Sequence, residues 1–148
     1  MISNTIDQEI KQAMLAKDQA RLRGLRAIKA ALLLAKTEKG TAEGITEEAE
    51  LKLLTKLIKQ RKESADIYKQ QGREDLSLVE EEEIAVISAF MPKQLDAEEI
   101  EAIIVNLIAT SGATSVKDMG KVMGLANKEL AGKADGKLIA DFVRKHLA

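Results

Sequence analysis

Five lysines in the last third of the chain have a spacing that suits phosphate binding. On a helical wheel, Lys117, Lys121 and Lys128 fall within about 40° of one another, and Lys133 and Lys137 flank the turn that follows. An ammonium group binds phosphate as a point charge, and free N–H groups at a helix N-terminus add to the attraction. The pattern is therefore compatible with two interpretations: these five lysines form an RNA-binding surface, or they are only the solvated outer faces of two amphipathic helices.

The same stretch is rich in glycines that need a structural explanation. Gly120 and Gly124 lie inside a helix predicted from 116 to 130, where each costs about 1 kcal/mol relative to alanine. That cost predicts the close approach of another backbone or of a ligand. Ser115 and Asp118 form a capping pattern at the start of this helix. The predicted structural residues of the motif are Gly120, Gly124, Gly132, which ends the helix, Asp135, which caps the next one, and Gly136.

Catalytic residue patterns find little support. His146 is the only histidine, and it falls in the last turn of the chain's final helix, where a cation complements the helix dipole. The absence of cysteine excludes disulfides, thiolate chemistry and cysteine-based zinc sites. The sequence therefore predicts no catalytic residue, no metal site and no cofactor.

Nucleotide-binding motifs are also missing. In GKADGK (132–137) the glycines are too close together for a P-loop, and Leu138 stands where a serine or threonine is needed.

The acidic run 80–83 points in four directions around a helix, which is typical of a solvated face or of salt-bridge partners. Arg61 occupies an apolar position of the preceding helix. Its guanidinium either reaches water along a packed stem or pairs with a carboxylate of the acidic run.

The composition favours an all-α fold. Hydrophobic residues make up 45% of the 148 residues, whereas aromatics make up 2% and there is one proline, which argues against a β-sandwich or barrel. No signal peptide pattern is present, and no apolar run approaches the roughly 20 residues that span a bilayer. A cytoplasmic protein without a membrane segment is expected.

The apolar periodicity predicts a four-helix N-terminal unit at residues 1–93. Its predicted N-caps are Thr5, Asp18, Thr46 and Asp75, with a glycine-containing loop at 40–45 after the second helix. Gly24 suggests that two helices cross closely. Pro92 ends the fourth helix, and the domain boundary is placed at 92–95.

A three-helix C-terminal unit is predicted at residues 94–148. Asp96 and Glu99 make a D-x-x-E helix start, and Gly112 ends its first helix. The inward face of its second helix is expected to consist of Val116, Met119, Met123, Ala126 and Leu130.

Several segments resemble the YqeY-like family. KDMGKVMG (117–124) and GKADGK (132–137) look like its signature, and the same module closes the B subunit (GatB) of the tRNA-dependent amidotransferases. LRAIKAAL (25–32), KQRKESADIYKQQGREDL (59–76) and FMPKQL (90–95) are also similar to YqeY-like sequences. The resemblance implies a two-part, all-helical build and an association with glutamine-dependent carbon–nitrogen ligase activity. In the resembled amidotransferase the module helps to engage tRNA, and the active sites lie outside it.

Three functions are compatible with these observations. The first is a non-catalytic accessory protein that contacts tRNA or another structured RNA through the C-terminal unit. The second is a protein-interaction module that docks on an amidotransferase or a translation factor through the glycine-bearing helix. The third is an enzyme with amidotransferase-like activity, although the residues predict no catalysis by this chain alone.

Overall fold

The computed structural model describes residues 1–39 and 44–148, and every regular element in these ranges is helical. The fold class predicted from composition is therefore confirmed. The loop predicted at 40–45 falls partly outside the described residues. The chain divides into two compact units, Met1–Met91 and Pro92–Ala148. The α-helices are α1 (Ile2–Leu15), α2 (Gln19–Lys39), α3 (Glu47–Gln70), α4 (Glu74–Ser88), α5 (Ala97–Ser111), α6 (Met119–Glu129) and α7 (Gly136–Leu147), with a 3-10 turn at Val116–Asp118.

The N-terminal unit is a bundle of α1 to α4, in which α4 packs against both α2 and α3. Its core combines one apolar stripe from each helix, as the helical periodicity predicts. The buried residues of this core are Ile6, Ala13, Leu22, Leu25, Ile28, Leu32, Leu54 and Ile87.

Two of the four predicted caps in this unit are confirmed. Asp18 Oδ1 accepts the N–H of Arg21 at 3.1 Å, and Thr46 Oγ1 accepts the N–H of Ala49 at 3.1 Å. Both side chains satisfy donors that the first turn of a helix leaves unpaired.

The other two predicted caps are wrong. Thr5 lies inside α1, whose N-cap is Met1, because the first-turn donors of α1 are satisfied from a distant part of the chain. The buried Glu50 carboxylate of α3 accepts the N–H groups of Ile2 and Ser3 at 3.1 and 2.9 Å. Asp75 lies inside α4 and forms an ion pair with Arg73 at 3.1 Å instead of capping the helix.

The predicted close crossing at Gly24 is confirmed. A Cβ atom built on Gly24 would lie 2.6 Å from Cβ and from Cγ1 of Val86. Real Cβ atoms do not come this close to other heavy atoms. Glycine therefore lets α2 and α4 approach each other at this position.

The structure also decides between the two interpretations of Arg61. Its Nε atom lies 3.9 Å from Glu83 Oε1, and the two side chains are only 18% and 16% exposed. Nη1 donates to the Leu57 carbonyl at 3.1 Å. Arg61 therefore pairs with a carboxylate of the acidic run, as the second interpretation holds.

The C-terminal unit packs α5, α6 and α7 around a separate core. One prediction for this core is wrong: Val116 is 56% exposed, whereas Val122 is fully buried. The 3-10 turn at Val116–Asp118 changes the angle per residue, so the phase of the apolar stripe shifts when α6 begins at Met119. The buried residues are Ile100, Ile104, Val122, Ala126, Leu130, Ile139, Val143 and Leu147.

No single helix in the described residues combines the length and apolar character needed to cross a bilayer. The segments Ala97–Ser111 and Val116–Glu129 meet these criteria only when taken together, and they are bent by 98° relative to each other.

Candidate functional site

The predicted site residues lie on the outside of the C-terminal unit. Its core is filled from the inner faces of α5, α6 and α7, so the polar positions of α6 and α7 face solvent. The ammonium-bearing side chains are all exposed: Lys117, Lys121, Lys128, Lys133 and Lys137.

The turn between α6 and α7 has a backbone held by the segment that precedes α5. The Gln94 side chain donates from Nε2 to the Gly132 carbonyl at 2.6 Å, and Leu95 donates its N–H to the Lys133 carbonyl at 3.0 Å. Lys133 in turn donates its own N–H to the Leu130 carbonyl at 2.9 Å. These bonds fix the backbone at Lys133 while its side chain projects into water.

Gly132 and Asp135 have the structural roles predicted for them. Gly132 adopts φ of 72°, a left-handed conformation that glycine enters without steric cost, three residues after Glu129, the last residue of α6. Asp135 Oδ1 accepts the N–H of Lys137 at 3.1 Å and so caps α7. This N–H group is therefore already satisfied, and the Lys137 side chain rather than its backbone offers a positive group to an anion. Gly136 is the exposed first residue of α7.

The other lysines differ in how firmly the fold holds them. Lys121 donates from Nζ to the Ser111 carbonyl at 3.0 Å, which satisfies an acceptor at the C-terminal end of α5. Lys117 lies in the 3-10 turn, where its N–H is accepted by Ser115 Oγ at 3.3 Å. Ser115 is thus a cap as predicted, whereas its expected partner Asp118 instead accepts the N–H of Thr114 at 2.9 Å. Lys128 is exposed on α6.

The glycines of α6 do not have the packing role predicted within the unit. Both Gly120 and Gly124 are exposed, and a Cβ atom built on either would find no neighbouring atom within 4 Å among the described residues. No helix in the described ranges crosses α6 closely at these positions. The close approach that their cost suggests is therefore not made by the described part of this chain.

Sequence reasoning missed the two residues that hold the turn at 132–133. Gln94 and Leu95 belong to the segment FMPKQL, and the Gln94 bond spans 38 residues. No local pattern signals such a bond. The only hint was that this segment and GKADGK both belong to the set of family-like motifs.

The side chains with shifted pKa values belong to α3, α4 and the turn between them, in the N-terminal unit. Within residues 1–39 and 44–148, no group of three or more histidine, aspartate or glutamate side chains is arranged to hold a metal ion. The arrangement of the C-terminal unit suits the binding of an anionic surface by exposed lysines.

Comparison with protein families matches residues 3–147 to the family described as Yqey-like protein. The match covers nearly the whole chain and both units, and the chain therefore belongs to the YqeY-like family. Comparison with curated proteins gave no significant match.

Proposed function

We propose that this protein is a non-catalytic accessory protein that contacts tRNA or another structured RNA through its C-terminal unit. The observation that carries the proposal is the turn at 132–137. Lys133 and Lys137 are exposed there, on a backbone held by Gln94, Leu95 and the Asp135 cap. Because the backbone of the turn is already held, only the lysine side chains lose conformational freedom when they meet a phosphate backbone.

The type of RNA contact follows from the chemistry of the surface. Lysines provide charge without base recognition, so they position a folded RNA by its phosphates. The C-terminal unit has one aromatic residue, Phe142, which leaves no stacking platform for single-stranded bases. Seven basic and four acidic side chains in residues 117–148 give only a modest positive excess. Binding through the shape of a double-stranded region, with strong salt dependence, is the expected mode.

Family membership and the resemblance of residues 117–137 to the GatB tail module support the same direction, because that module helps to engage tRNA. A cytoplasmic location, where tRNA acts, is part of the proposal. Within the surface we expect unequal contributions. Lys121 already binds the Ser111 carbonyl and should contribute less than Lys133 and Lys137.

The test is the fluorescence anisotropy of labelled bulk tRNA across a salt series. The variant Lys133→Glu with Lys137→Glu should weaken binding at least tenfold and lower the salt slope by about 1 for each phosphate that it no longer neutralises. The matched control is Lys56→Glu with Lys59→Glu, which makes the same charge change at two exposed positions of α3. An equal decrease in the two double variants would mean that net charge alone drives binding, and an unchanged affinity would reject the surface.

A second candidate is docking of a protein partner on α6. The observation that favours it is the exposed face with Gly120 and Gly124, beside Leu125, which is 39% exposed. Such a face lets another helix approach closely. Gly120→Leu with Gly124→Leu should abolish capture of a purified amidotransferase or translation factor. The same variant should retain RNA affinity if the two functions use different surfaces.

The amidotransferase-like alternative predicts turnover by the protein itself. Purified chain would then hydrolyse glutamine, or ATP, in the presence of tRNA. The accessory role predicts neither reaction above the rate of a sample without protein. This assay separates the alternatives independently of the RNA affinity.

A further inference from the structure

The turn between α1 and α2 is backbone-strained. Lys17 adopts φ of 57°, and it is the single non-glycine residue with positive φ in the described part of the chain. Its N–H donates to the Met14 carbonyl at 3.1 Å, and the N–H of Asp18 donates to the Ala13 carbonyl at 3.0 Å. These two bonds form the hydrogen-bond pattern with which helices often end on a left-handed residue. A side chain with a Cβ atom raises the energy of that conformation.

The α3–α4 turn provides an internal comparison. There the N–H of Gly72 donates to the Lys69 carbonyl at 3.1 Å, and that of Arg73 donates to the Tyr68 carbonyl at 2.8 Å, which is the same pattern. The left-handed position is occupied by Gly72, with φ of 72°. The same left-handed position is therefore occupied by glycine in the α3–α4 turn, where it is unstrained. In the α1–α2 turn it is occupied by lysine, where the side chain makes it strained.

The contacts of α1 form a separable set. This helix packs mainly on α2 and buries Ile6 and Ala13. Its polar contacts are the Glu50 bonds to its first turn and two ion pairs, Asp7 with Lys29 and Glu9 with Arg21. None of these contacts requires that α1 and α2 belong to the same copy of the chain.

We propose that two copies of this chain exchange α1. In the exchanged dimer, the turn at 16–18 straightens and each α1 packs on the α2 and Glu50 of the other copy. Residues 16–18 contain neither proline nor glycine, so a continuous helix through α1 and α2 is sterically open to them. Opening releases the strain at Lys17 and gives up the Asp18 cap on Arg21, while the remaining contacts of α1 are made again in the partner.

The test is light scattering coupled to size exclusion, over a concentration series incubated to equilibrium. Lys17→Gly removes the strain of the closed turn and disfavours a continuous helix through residues 16–18. For each turn, the equilibrium constant between the closed and the straightened form should therefore shift at least about fivefold toward the closed form. A dimer contains two such turns, and its dissociation constant should therefore rise about 25-fold or more. Asp18→Ala removes the cap that stabilises the closed turn and should lower the constant by a similar factor.

Two controls separate exchange from other effects. Asp96→Ala removes the equivalent cap of α5, far along the chain, and should leave the dimer constant unchanged. Glu50→Ala weakens the anchoring of α1 equally in the closed monomer and the exchanged dimer, so it should also leave the constant unchanged. Monomer at every concentration in the Asp18→Ala variant, or a dimer insensitive to Lys17→Gly, would overturn the proposal.

Discussion

At the scale of single residues, Glu50 shows how a buried charge can serve a distant helix. Its carboxylate is fully buried and accepts two N–H groups from the first turn of α1, 48 and 47 residues away in sequence. A carboxylate at a helix N-terminus interacts favourably with both the unpaired donors and the helix dipole. These two bonds offset part of the cost of removing the charge from water.

Replacing Glu50 with alanine should therefore lower the free energy of unfolding by about 1–2 kcal/mol, because two N–H groups in the first turn of α1 lose their acceptor. Urea unfolding followed by circular dichroism measures the change. Glu63→Ala, at an exposed position in the middle of the same helix, is the control and should cost less than about 0.5 kcal/mol. Similar destabilisation in the two variants would contradict the capping role of Glu50.

Gly24 makes a second prediction at this scale. Gly24→Ala places a methyl group 2.6 Å from Val86 atoms, and overpacking of this kind costs about 1–3 kcal/mol although alanine is the better helix former. The double variant with Val86→Ala should recover part of the stability, which a double-mutant cycle in urea would measure. Gly120→Ala is the control of opposite sign, since open space around it allows stabilisation by up to about 1 kcal/mol. Destabilisation by Gly120→Ala would mean that the space around Gly120 on α6 is not open.

At the scale of elements, α3 and α4 form a hairpin held by a core and by ion pairs. Lys69 lies 2.6 Å from Glu81, and Arg61 pairs with Glu83 at the more buried end. The hydrogen bond from Lys69, followed by its Coulomb attraction, lowers the pKa of Glu81. The same pair raises the pKa of Lys69, mainly through the hydrogen bond to Glu81.

The sign of the resulting pH dependence follows from these directions. The contribution of Glu81 to the free energy of unfolding is fully present above its unfolded-state pKa, roughly 4.3. It is lost as the pH falls through the lower pKa of the folded state. The Lys69 contribution is lost only as the pH rises through a value above the ordinary lysine range. Lys69→Gln should lower the urea midpoint at pH 7 by a small, salt-sensitive amount, and that difference should be smaller at pH 3 than at pH 7.

Lys62→Gln is the control for this pair, because Lys62 is an exposed lysine on the same helix. Its urea midpoint should stay close to that of the parent protein at both pH values. A Lys69→Gln effect that persists unchanged at pH 3 would show that packing of the lysine stem, rather than the ion pair, accounts for the destabilisation.

At the scale of the whole molecule, residues 1–39 and 44–148 form two apolar cores. Each core contains a fully buried isoleucine, which is Ile87 in the N-terminal unit and Ile104 in the C-terminal unit. The C-terminal unit, Pro92–Ala148, is small, and a domain of this size buries a modest fraction of its surface. A cavity in its core should therefore consume a large part of its stability.

Ile104→Ala and Ile87→Ala should each cost about 2–5 kcal/mol in the unit that contains them. Hydrogen exchange read by mass spectrometry locates the effect, with protection reduced first in α5–α7 for Ile104→Ala and in α1–α4 for Ile87→Ala. Ile87→Ala should leave tRNA affinity nearly unchanged under conditions in which the C-terminal unit stays protected. Simultaneous loss of protection in both units from either substitution would contradict two separate cores.

Whether a contact could be predicted from the sequence depended mainly on how far apart its two residues lie along the chain. The caps at Asp18, Thr46 and Asp96 are local bonds across three residues, and the structure contains all of them. The local capping pattern at Thr5 failed because a distant carboxylate, that of Glu50, caps α1. Asp75 is the exception to this rule, because the residue that it pairs with instead of capping α4 is Arg73, only two positions away. The phase of α6 was misplaced by a single short turn, which moved Val122 into the core and Val116 to the surface.

The sequence by itself determined the all-helical class, the helix-ending glycines and the exposed lysines, since helix propensity, capping and amphipathic periodicity act over a few residues. Only the tertiary structure decided which distant groups meet. At the lysine surface, Gln94 binds the Gly132 carbonyl across 38 residues, and Lys121 binds the carbonyl of Ser111. In the N-terminal unit, Glu50 binds the N–H of Ile2 across 48 residues. Such bonds depend on which helices meet in the folded chain, and that arrangement is set by the packing of the cores rather than by neighbouring residues.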